Sequence, residues 1–255
     1  MLDKVKEIAV LAGKQIMTVY KKDFQIDYKD DESPLTTADH LSHELIQNEL
    51  NKRWPHIPVL SEEGSAIPIQ ERASWEMFWL IDPLDGTKEF IKRNDEFTVN
   101  IALIRNGKPV LGVIYAPALD LLYFGKEKDG AYKQSAASKC TSDPVRLYAD
   151  RLGSQKKVVV SRSHMSKDTR AYLKELEKKE GDLQFISIGS SLKFCLVAEG
   201  SAHYYPRLAP TMEWDTGAGQ CIAEEAGCLV FQYQTSAPLI YNKEVLTNPW
   251  FICSI

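Results

Sequence analysis

The segment Trp79-Leu80-Ile81-Asp82-Pro83-Leu84-Asp85-Gly86-Thr87 sets two carboxylates and a hydroxyl at the end of an apolar run. Met77 to Ile81 predicts a buried strand. Pro83 fixes φ and Gly86 permits a sharp turn, which would hold Asp82 and Asp85 on one side of a tight loop. Two carboxylates so placed repel each other, and a hard divalent cation such as Mg²⁺ relieves the repulsion. Thr87 adds a hydroxyl able to hold a water or a phosphate oxygen. A polar turn after a core strand would account for this motif alone equally well.

Two further acidic segments shift the balance. Val59-Leu60-Ser61-Glu62-Glu63-Gly64 is again a short apolar run ending in acids. Glu213-Trp214-Asp215-Thr216-Gly217-Ala218-Gly219 places an aspartate where a helix should begin, with Asp215 as the expected N-cap and small residues after it that let a ligand approach. Ala218, Cys221, Ile222, Ala223 and Ala226 then give a helical apolar face that stops at Gly227. Any one of these segments suits a cap or a solvated turn. Together they favour a metal cluster built at the ends of strands and helices. Oxygen ligands select Mg²⁺ or Mn²⁺. His40, His43, His56 and His203 show no H-x-x-x-H spacing, so a histidine-based zinc site is not expected.

The elements that must position these acids follow from hydrophobic periodicity. Val5, Ile8, Ala9, Ala12, Ile16 and Val19 predict an amphipathic first helix, and Leu41, Leu45, Ile46 and Leu50 a second. Phe97 to Arg105, Asn106-Gly107 and Pro109 to Ala116 predict a β-hairpin with a type I′ turn, extended by Leu121 to Phe124. Beyond about Val145 the pattern alternates: Val158 to Val160 strand, Lys167 to Lys179 charged helix, Phe185 to Ile188 strand, Ser190 to Glu199 helix, Ala202 to Tyr205 strand. An antiparallel half followed by alternating strands and helices implies two subdomains, 1–144 with most candidate ligands and 145–255 with Asp215.

Composition bounds the rest. With 255 residues, 44% of them hydrophobic, the chain can bury a substantial core. A net charge of −4 argues against a nucleic-acid polymer as partner. No apolar stretch suggests a transmembrane segment, and the charged start Met1-Leu2-Asp3-Lys4-Val5-Lys6-Glu7 has no signal-peptide core. Five cysteines without a C-x-x-C pair suggest reduced thiols and a cytoplasmic protein.

Leu35-Thr36-Thr37-Ala38-Asp39, Ser61-Glu62-Glu63-Gly64, Asp82-Pro83-Leu84-Asp85-Gly86-Thr87 and Trp214-Asp215-Thr216-Gly217-Ala218-Gly219 resemble the motif set of the inositol monophosphatase superfamily, Mg²⁺-dependent and lithium-sensitive phosphatases. Asp85 to Asn94 and Ser187 to Gly200 look most like the CysQ-type 3'(2'),5'-bisphosphate nucleotidases within it, as does Ser161-Arg162-Ser163-His164. The resemblance implies an α/β (α+β) fold, a layered α-β-α-β-α sandwich with the site between its halves. It implies two or three Mg²⁺ ions, with Mn²⁺ as a substitute. Glu62, Asp82, the Leu84 carbonyl, Asp85 and Asp215 would be the metal ligands. Thr87 and Glu62 would orient the attacking water, supported by Asp39. Contacts to the substrate would come from Glu62, Leu84, Asp85, Gly86, Thr87, His164, Ser190, Lys193, Arg207 and Asp215. Glu63 stays open between a supporting group and a solvated one, and His164 between a substrate contact and a surface or capping role. The implied substrate is a small nucleotide, adenosine 3',5'-bisphosphate or its sulfated form. Monomer and dimer both remain open, as does peripheral association with the inner face of the cell membrane.

Other chemistries fit less well. Aspartyl-phosphate phosphatases of the haloacid dehalogenase type carry D-x-D-G-T, whereas Pro83 and Leu84 both separate the acids here. Cys140-Thr141-Ser142-Asp143-Pro144-Val145-Arg146 satisfies C-x5-R, but Pro144 lacks an N–H and Asp143 would repel an anion. The Lys174 to Glu180 charge run suits a solvated helix face. The remaining alternatives are an inositol monophosphatase or sugar-bisphosphatase activity, and a nucleotide- or Mg²⁺-sensing protein without catalysis. Retention of Glu62, Asp82, Asp85, Thr87 and Asp215 together favours an enzyme.

Overall fold

The computed structural model describes residues 1–22, 26–28, 34–139, 141–149, 155–161 and 165–255. In chain order the elements are α1 (Leu2–Tyr20), β1 (Ile26–Tyr28), β2 (Pro34–Thr36), α2 (Thr37–Arg53), β3 (Val59–Ser61), α3 (Ile69–Arg72), β4 (Met77–Asp85), α4 (Thr87–Ile91), β5 (Thr98–Arg105), β6 (Lys108–Ala116), β7 (Leu121–Lys126), β8 (Gly130–Ser135) and β9 (Val145–Arg146). They continue with β10 (Lys156–Ser161), α5 (Lys167–Glu180), β11 (Leu183–Ile188), α6 (Leu192–Ala198), β12 (Tyr204–Arg207), α7 (Glu213–Glu225), β13 (Leu229–Gln232) and β14 (Phe251–Ser254). A seven-stranded sheet runs β3-β4-β5-β6-β7-β8-β9, and a five-stranded sheet runs β11-β10-β12-β14-β13.

Strand alternation sorts side chains into layers. On β4 and β5, Trp79, Ile81, Val99, Ile101 and Leu103 join the core under α1 and α2. Their neighbours Phe78, Leu80, Ala102 and Ile104 face the other way, into a core shared with α6, α7 and the smaller sheet. On β10, Val159 enters that shared core, while Val158 and Val160 pack with Leu173 and Leu176 of α5. Each switch follows from the two-residue period of a strand. The result is α1/α2, large sheet, α6/α7, small sheet, α5: the expected α-β-α-β-α sandwich. Each fully buried Ile, Leu, Val or Phe side chain contributes about 1.5–3 kcal/mol, and both faces of the large sheet carry such residues.

Close approach between the layers needs a missing side chain. A Cβ on Gly112 of β6 would lie 2.4 Å from the Ala218 carbonyl oxygen, so α7 rests directly on strand backbone there. The hairpin expectation holds: Asn106 and Gly107 both have positive φ, 50° and 72°, as a type I′ turn requires.

Four boundaries differ from the sequence expectation. The strand expected to stop at Ile81 continues to Asp85. The helix expected from Ser190 begins at Leu192, because Ser190 has φ 49° and cannot belong to a right-handed turn. The strand expected over Ala202 to Tyr205 runs from Tyr204 to Arg207, which puts Arg207 on regular backbone. Helix α7 starts at Glu213, with Met212 as its N-cap, so Asp215 lies inside the first turn. Among the described residues no helix is long and apolar enough to cross a membrane.

Candidate active site

Strand β4 delivers its acids through a bulge. Asp82 pairs with Asn100 and Asp85 with Thr98, so three steps along β4 match two along β5. Pro83, which has no N–H to give a ladder, falls inside the irregular stretch. Asp82 Oδ1 accepts from the Leu84 N–H at 3.1 Å. The Ser42 hydroxyl of α2 donates to the Pro83 carbonyl at 2.7 Å and fixes the bulge from behind.

Strand β3 runs parallel to β4 and places Glu62 beside Asp82, with the Glu62 N–H donating to the Ile81 carbonyl at 3.2 Å. Asp39 sits in the first turn of α2. Its Oδ2 accepts from the Thr36 N–H and hydroxyl, each at 2.7 Å, which leaves Oδ1 3.3 Å from the Thr87 hydroxyl. The same Thr87 hydroxyl lies 3.3 Å from the Leu84 carbonyl. Gly86 turns the chain from β4 into α4 at φ 92°, and a Cβ there would meet the Glu96 carbonyl oxygen at 3.1 Å and Ser190 Cβ at 3.3 Å. Asp215 is not the N-cap of α7. It reaches back to the Met212 N–H at 2.9 Å, since the buried Glu213 ahead of it already belongs to the helix. Glu213 is structural: its carboxylate takes the Asn242 and Lys243 backbone N–H groups and the Lys243 ammonium.

These elements close around a cleft of about 280 Å³ whose wall includes Glu62, Asp85, Thr87, Lys193, Arg207 and Asp215. Gly86 and Ser190 line it as well, whereas Asp82 is buried beneath and Asp39 lies behind Thr87. Glu62, and not Glu63, reaches the cleft. His164 lies outside the described residues.

The electrostatics are those of crowded carboxylates. Burial pushes the Asp82 carboxyl well above its ordinary range, and the charges of Glu62, Asp85 and Asp215 push it further. Burial, then Asp85 and Glu62, raise Asp215 to about 8, against the Met212 N–H and Arg207, which pull it back. Asp85 is raised too, by burial, although Lys193, Asn100 and the Ser191 N–H oppose this. Lys193 is lowered to about 8, chiefly by burial, with the carboxylates of Asp85, Glu89 and Asp215 resisting and Arg207 adding to the shift. Its ammonium donates to the Ser190 carbonyl at 2.5 Å. Arg207 donates from Nη2 to the Pro210 carbonyl at 2.9 Å, while its buried Nε has no hydrogen-bond partner among the described residues. An orphaned guanidinium N–H in the wall of a cleft suits an anionic ligand.

A hard cation fits this donor set. The candidate ligands are carboxylates and one main-chain carbonyl, and among the described residues no thiol lines the cleft. Among the described residues no three His, Cys, Asp or Glu side chains already enclose a point, and Asp82, Asp85 and Asp215 each accept a backbone N–H instead. Burial and the neighbouring charges favour the protonated form of these acids, and a cation bound among them would favour the ionised form instead.

Residues 1–252 match the profile of the inositol monophosphatase family. The chain belongs to that family. Within it, the chain is 47% identical to the 3'(2'),5'-bisphosphate nucleotidase CysQ of Shigella flexneri and 46% identical to that of Escherichia coli K12, covering all of both partners in each comparison. Among solved structures it superposes on CysQ from Bacteroides thetaiotaomicron with a TM-score of 0.89 at 46% identity, covering 99% of this chain and 96% of that one. The Thermotoga maritima inositol monophosphatase TM1415, at 22% identity and TM-score 0.78, shares the fold. Inositol monophosphatase family enzymes are metal-dependent, generally on Mg²⁺, which agrees with the donor set of the cleft.

Sequence reasoning passed over three residues that support this site: Thr98, Asn100 and Ser191. Thr98 and Asn100 are polar at a two-residue spacing within an otherwise apolar strand, which was the available signal.

Proposed function

We propose that this chain is a Mg²⁺-dependent 3'(2'),5'-bisphosphate nucleotidase. It adds water across the 3'-phosphate ester of adenosine 3',5'-bisphosphate, giving AMP and inorganic phosphate. The sulfated form would give adenosine 5'-phosphosulfate and phosphate. The observation that carries this reading is the lining of one cleft: carboxylates from β4, the loop after β3, and α7 stand with Lys193 and Arg207 around a space of about 280 Å³. A monophosphatase needs the acids. A second phosphate on the substrate gives the buried Lys193 and the half-buried Arg207 a purpose.

Glu62, Asp82, the Leu84 carbonyl, Asp85 and Asp215 would hold two Mg²⁺ ions, with a third near Asp39 and Mn²⁺ as a substitute. Bound there, the ions supply neutralisation of the phosphate and a lowered pKa for the attacking water. The chain's own residues do the positioning. Thr87, anchored by Asp39, presents its hydroxyl oxygen to the incoming water, and Glu62 accepts the water's second hydrogen bond. Gly86 and Thr87 offer backbone N–H groups to the scissile phosphate at the start of α4. Ser190, Lys193 and Arg207 receive the other phosphate, the guanidinium through its unpartnered Nε. His164 would add a contact. Such a substrate places the activity among small-molecule nucleotides in the cytoplasm.

Phosphate release from adenosine 3',5'-bisphosphate, its sulfated form, AMP and inositol 1-phosphate tests the assignment. The bisphosphate should be the preferred substrate in Mg²⁺ and inert in EDTA. Preference for inositol phosphate would overturn the nucleotidase reading and leave the family intact.

A further inference from the structure

Asp85 is the hub of a buried polar network that joins the large sheet to the start of α6. Its Oδ2 accepts from the Ser191 backbone N–H at 2.5 Å and lies 3.4 Å from Asn100 Nδ2 and 3.5 Å from Thr98 Oγ1. Behind it, Ser191 Oγ is 2.8 Å from Thr98 Oγ1 and 2.7 Å from Asn100 Oδ1. Thr98, Asn100 and Ser191 are buried, so each polar atom depends on these partners.

Proton accounting fixes the direction of the chain. Asn100 Oδ1 can only accept, so the Ser191 hydroxyl must donate to it and accept in turn from Thr98. With Oδ1 occupied by Ser191, the Asn100 amide nitrogen is the end that faces Asp85. A flipped amide would set a carbonyl oxygen against the carboxylate. The Ser191 N–H and the Asn100 amide both donate to Oδ2, while Thr98, its one proton given to Ser191, only packs against that oxygen, which leaves Oδ1 of Asp85 as the oxygen available to a cation. The network also ties Asp85 to Ser190 and Lys193, because Ser191 lies between them in sequence.

We propose that Ser191 is a positioning residue: by holding the Asn100 amide nitrogen toward Asp85 it fixes that carboxylate for cation binding. The proposal rests on Asp85 being a cation ligand, as read above. Partners behind a ligand orient it, and losing one costs about ten- to a hundredfold in metal affinity. Since the Ser191 hydroxyl acts through Asn100, its loss should matter only while Asn100 is present.

Calorimetric titration with Mn²⁺, on the full chain without nucleotide, tests this. Ser191→Ala should weaken binding about tenfold. Asn100→Ala should weaken it at least as much, and the double variant no further than Asn100→Ala alone. Thr98→Ser keeps the hydroxyl chain and should bind like the wild type. Unfolding in EDTA should show Ser191→Ala intact; were it not to fold, the Asn100→Ala titration carries the test. Unchanged Mn²⁺ affinity in Ser191→Ala, or in Asn100→Ala should that carry the test, or additive losses in the double variant, overturn the positioning role. Asp85→Asn reports on the underlying reading. If Asp85→Asn binds Mn²⁺ as well as the wild type, the ligand assignment itself falls; if only Asp85→Asn loses affinity, the positioning role alone is overturned.

Discussion

Asp82 and Asp85 face the same side of β4 although three positions separate them in the sequence. In a regular strand an odd separation points side chains to opposite faces. The bulge absorbs one residue, so the pair opposes Asn100 and Thr98, which share a face of β5. One extra residue therefore decides whether the two acids share a site at all. Burial raises both carboxyls, and at Asp82 the charges of Glu62 and Asp85 raise it further.

Replacing Asp85 by Asn removes a charge from a site whose affinity depends on accumulated carboxylates. Phosphatase activity should fall by more than about a hundredfold, and EDTA should abolish wild-type activity. The variant should still fold, because relief of repulsion offsets the lost hydrogen bonds. Full activity in EDTA or in Asp85→Asn would refute metal-dependent catalysis.

Stability of the metal-free protein should depend on pH in an unusual direction. Asp215 is raised to about 8 from 3.8, so across that interval the folded state holds a proton that the unfolded chain has lost. Folding is then favoured at low pH and progressively weakened as pH rises through about 8. Asp82 and Asp85 shift in the same sense. Thermal midpoints in EDTA should fall between pH 5 and 8, and Mg²⁺ should raise them most at pH 8. Asp215→Asn should flatten the EDTA profile. A midpoint that rises with pH in EDTA would contradict the carboxylate crowding.

Gly86→Ala should damage both fold and activity. Its φ of 92° is unfavourable for any side chain, and the new methyl would crowd the Glu96 carbonyl and Ser190. The expected destabilisation is about 1–3 kcal/mol, read from a denaturant midpoint. Activity should drop further than stability explains, since Thr87 directly follows the distorted residue. A stable, fully active Gly86→Ala would show that the turn has slack.

The elements were legible in the sequence because two-residue and helical periods and turn chemistry carry them: the α1 stripe, the Asn106-Gly107 turn and the Val158 to Val160 strand all lie where those signals put them, whereas the stacking into layers was implied by the family resemblance. The closeness of Asp82 and Asp85 was legible as well, but for another physical reason. Pro83 and Gly86 suggested a loop, and the chain keeps its strand and bulges instead. Asp215 misled because an aspartate before small residues looks like an N-cap, and nothing local reveals that Glu213 is already helical and bonded to residues 242 and 243. Ser190 looked helical because αL conformation at a serine leaves no sequence mark. The link from Ser191 to Asn100 joins residues far apart in sequence, and only tertiary packing brings it into being.

Lys193 is where substrate choice can be separated from the metal chemistry. Its ammonium is buried, bonded to the Ser190 carbonyl and set over the Tyr205 ring, with Arg207 as its neighbour in the wall. It also lies near enough to Asp85 to lower that carboxyl. These two relationships predict different outcomes for Lys193→Ala. If Lys193 receives the second phosphate, hydrolysis of adenosine 3',5'-bisphosphate should lose about ten- to a hundredfold in kcat/KM, the worth of a charged hydrogen bond. A small monophosphate, which never reaches that wall, should lose much less, because remote binding energy is absent from its reaction. If Lys193 mainly balances Asp85, both substrates should suffer alike and the Mg²⁺ requirement should shift. Parallel kinetics on the two substrates, each at saturating Mg²⁺, decide between the roles. Equal losses would remove the strongest residue-level support for a bisphosphate substrate while leaving the phosphatase chemistry of the cleft intact.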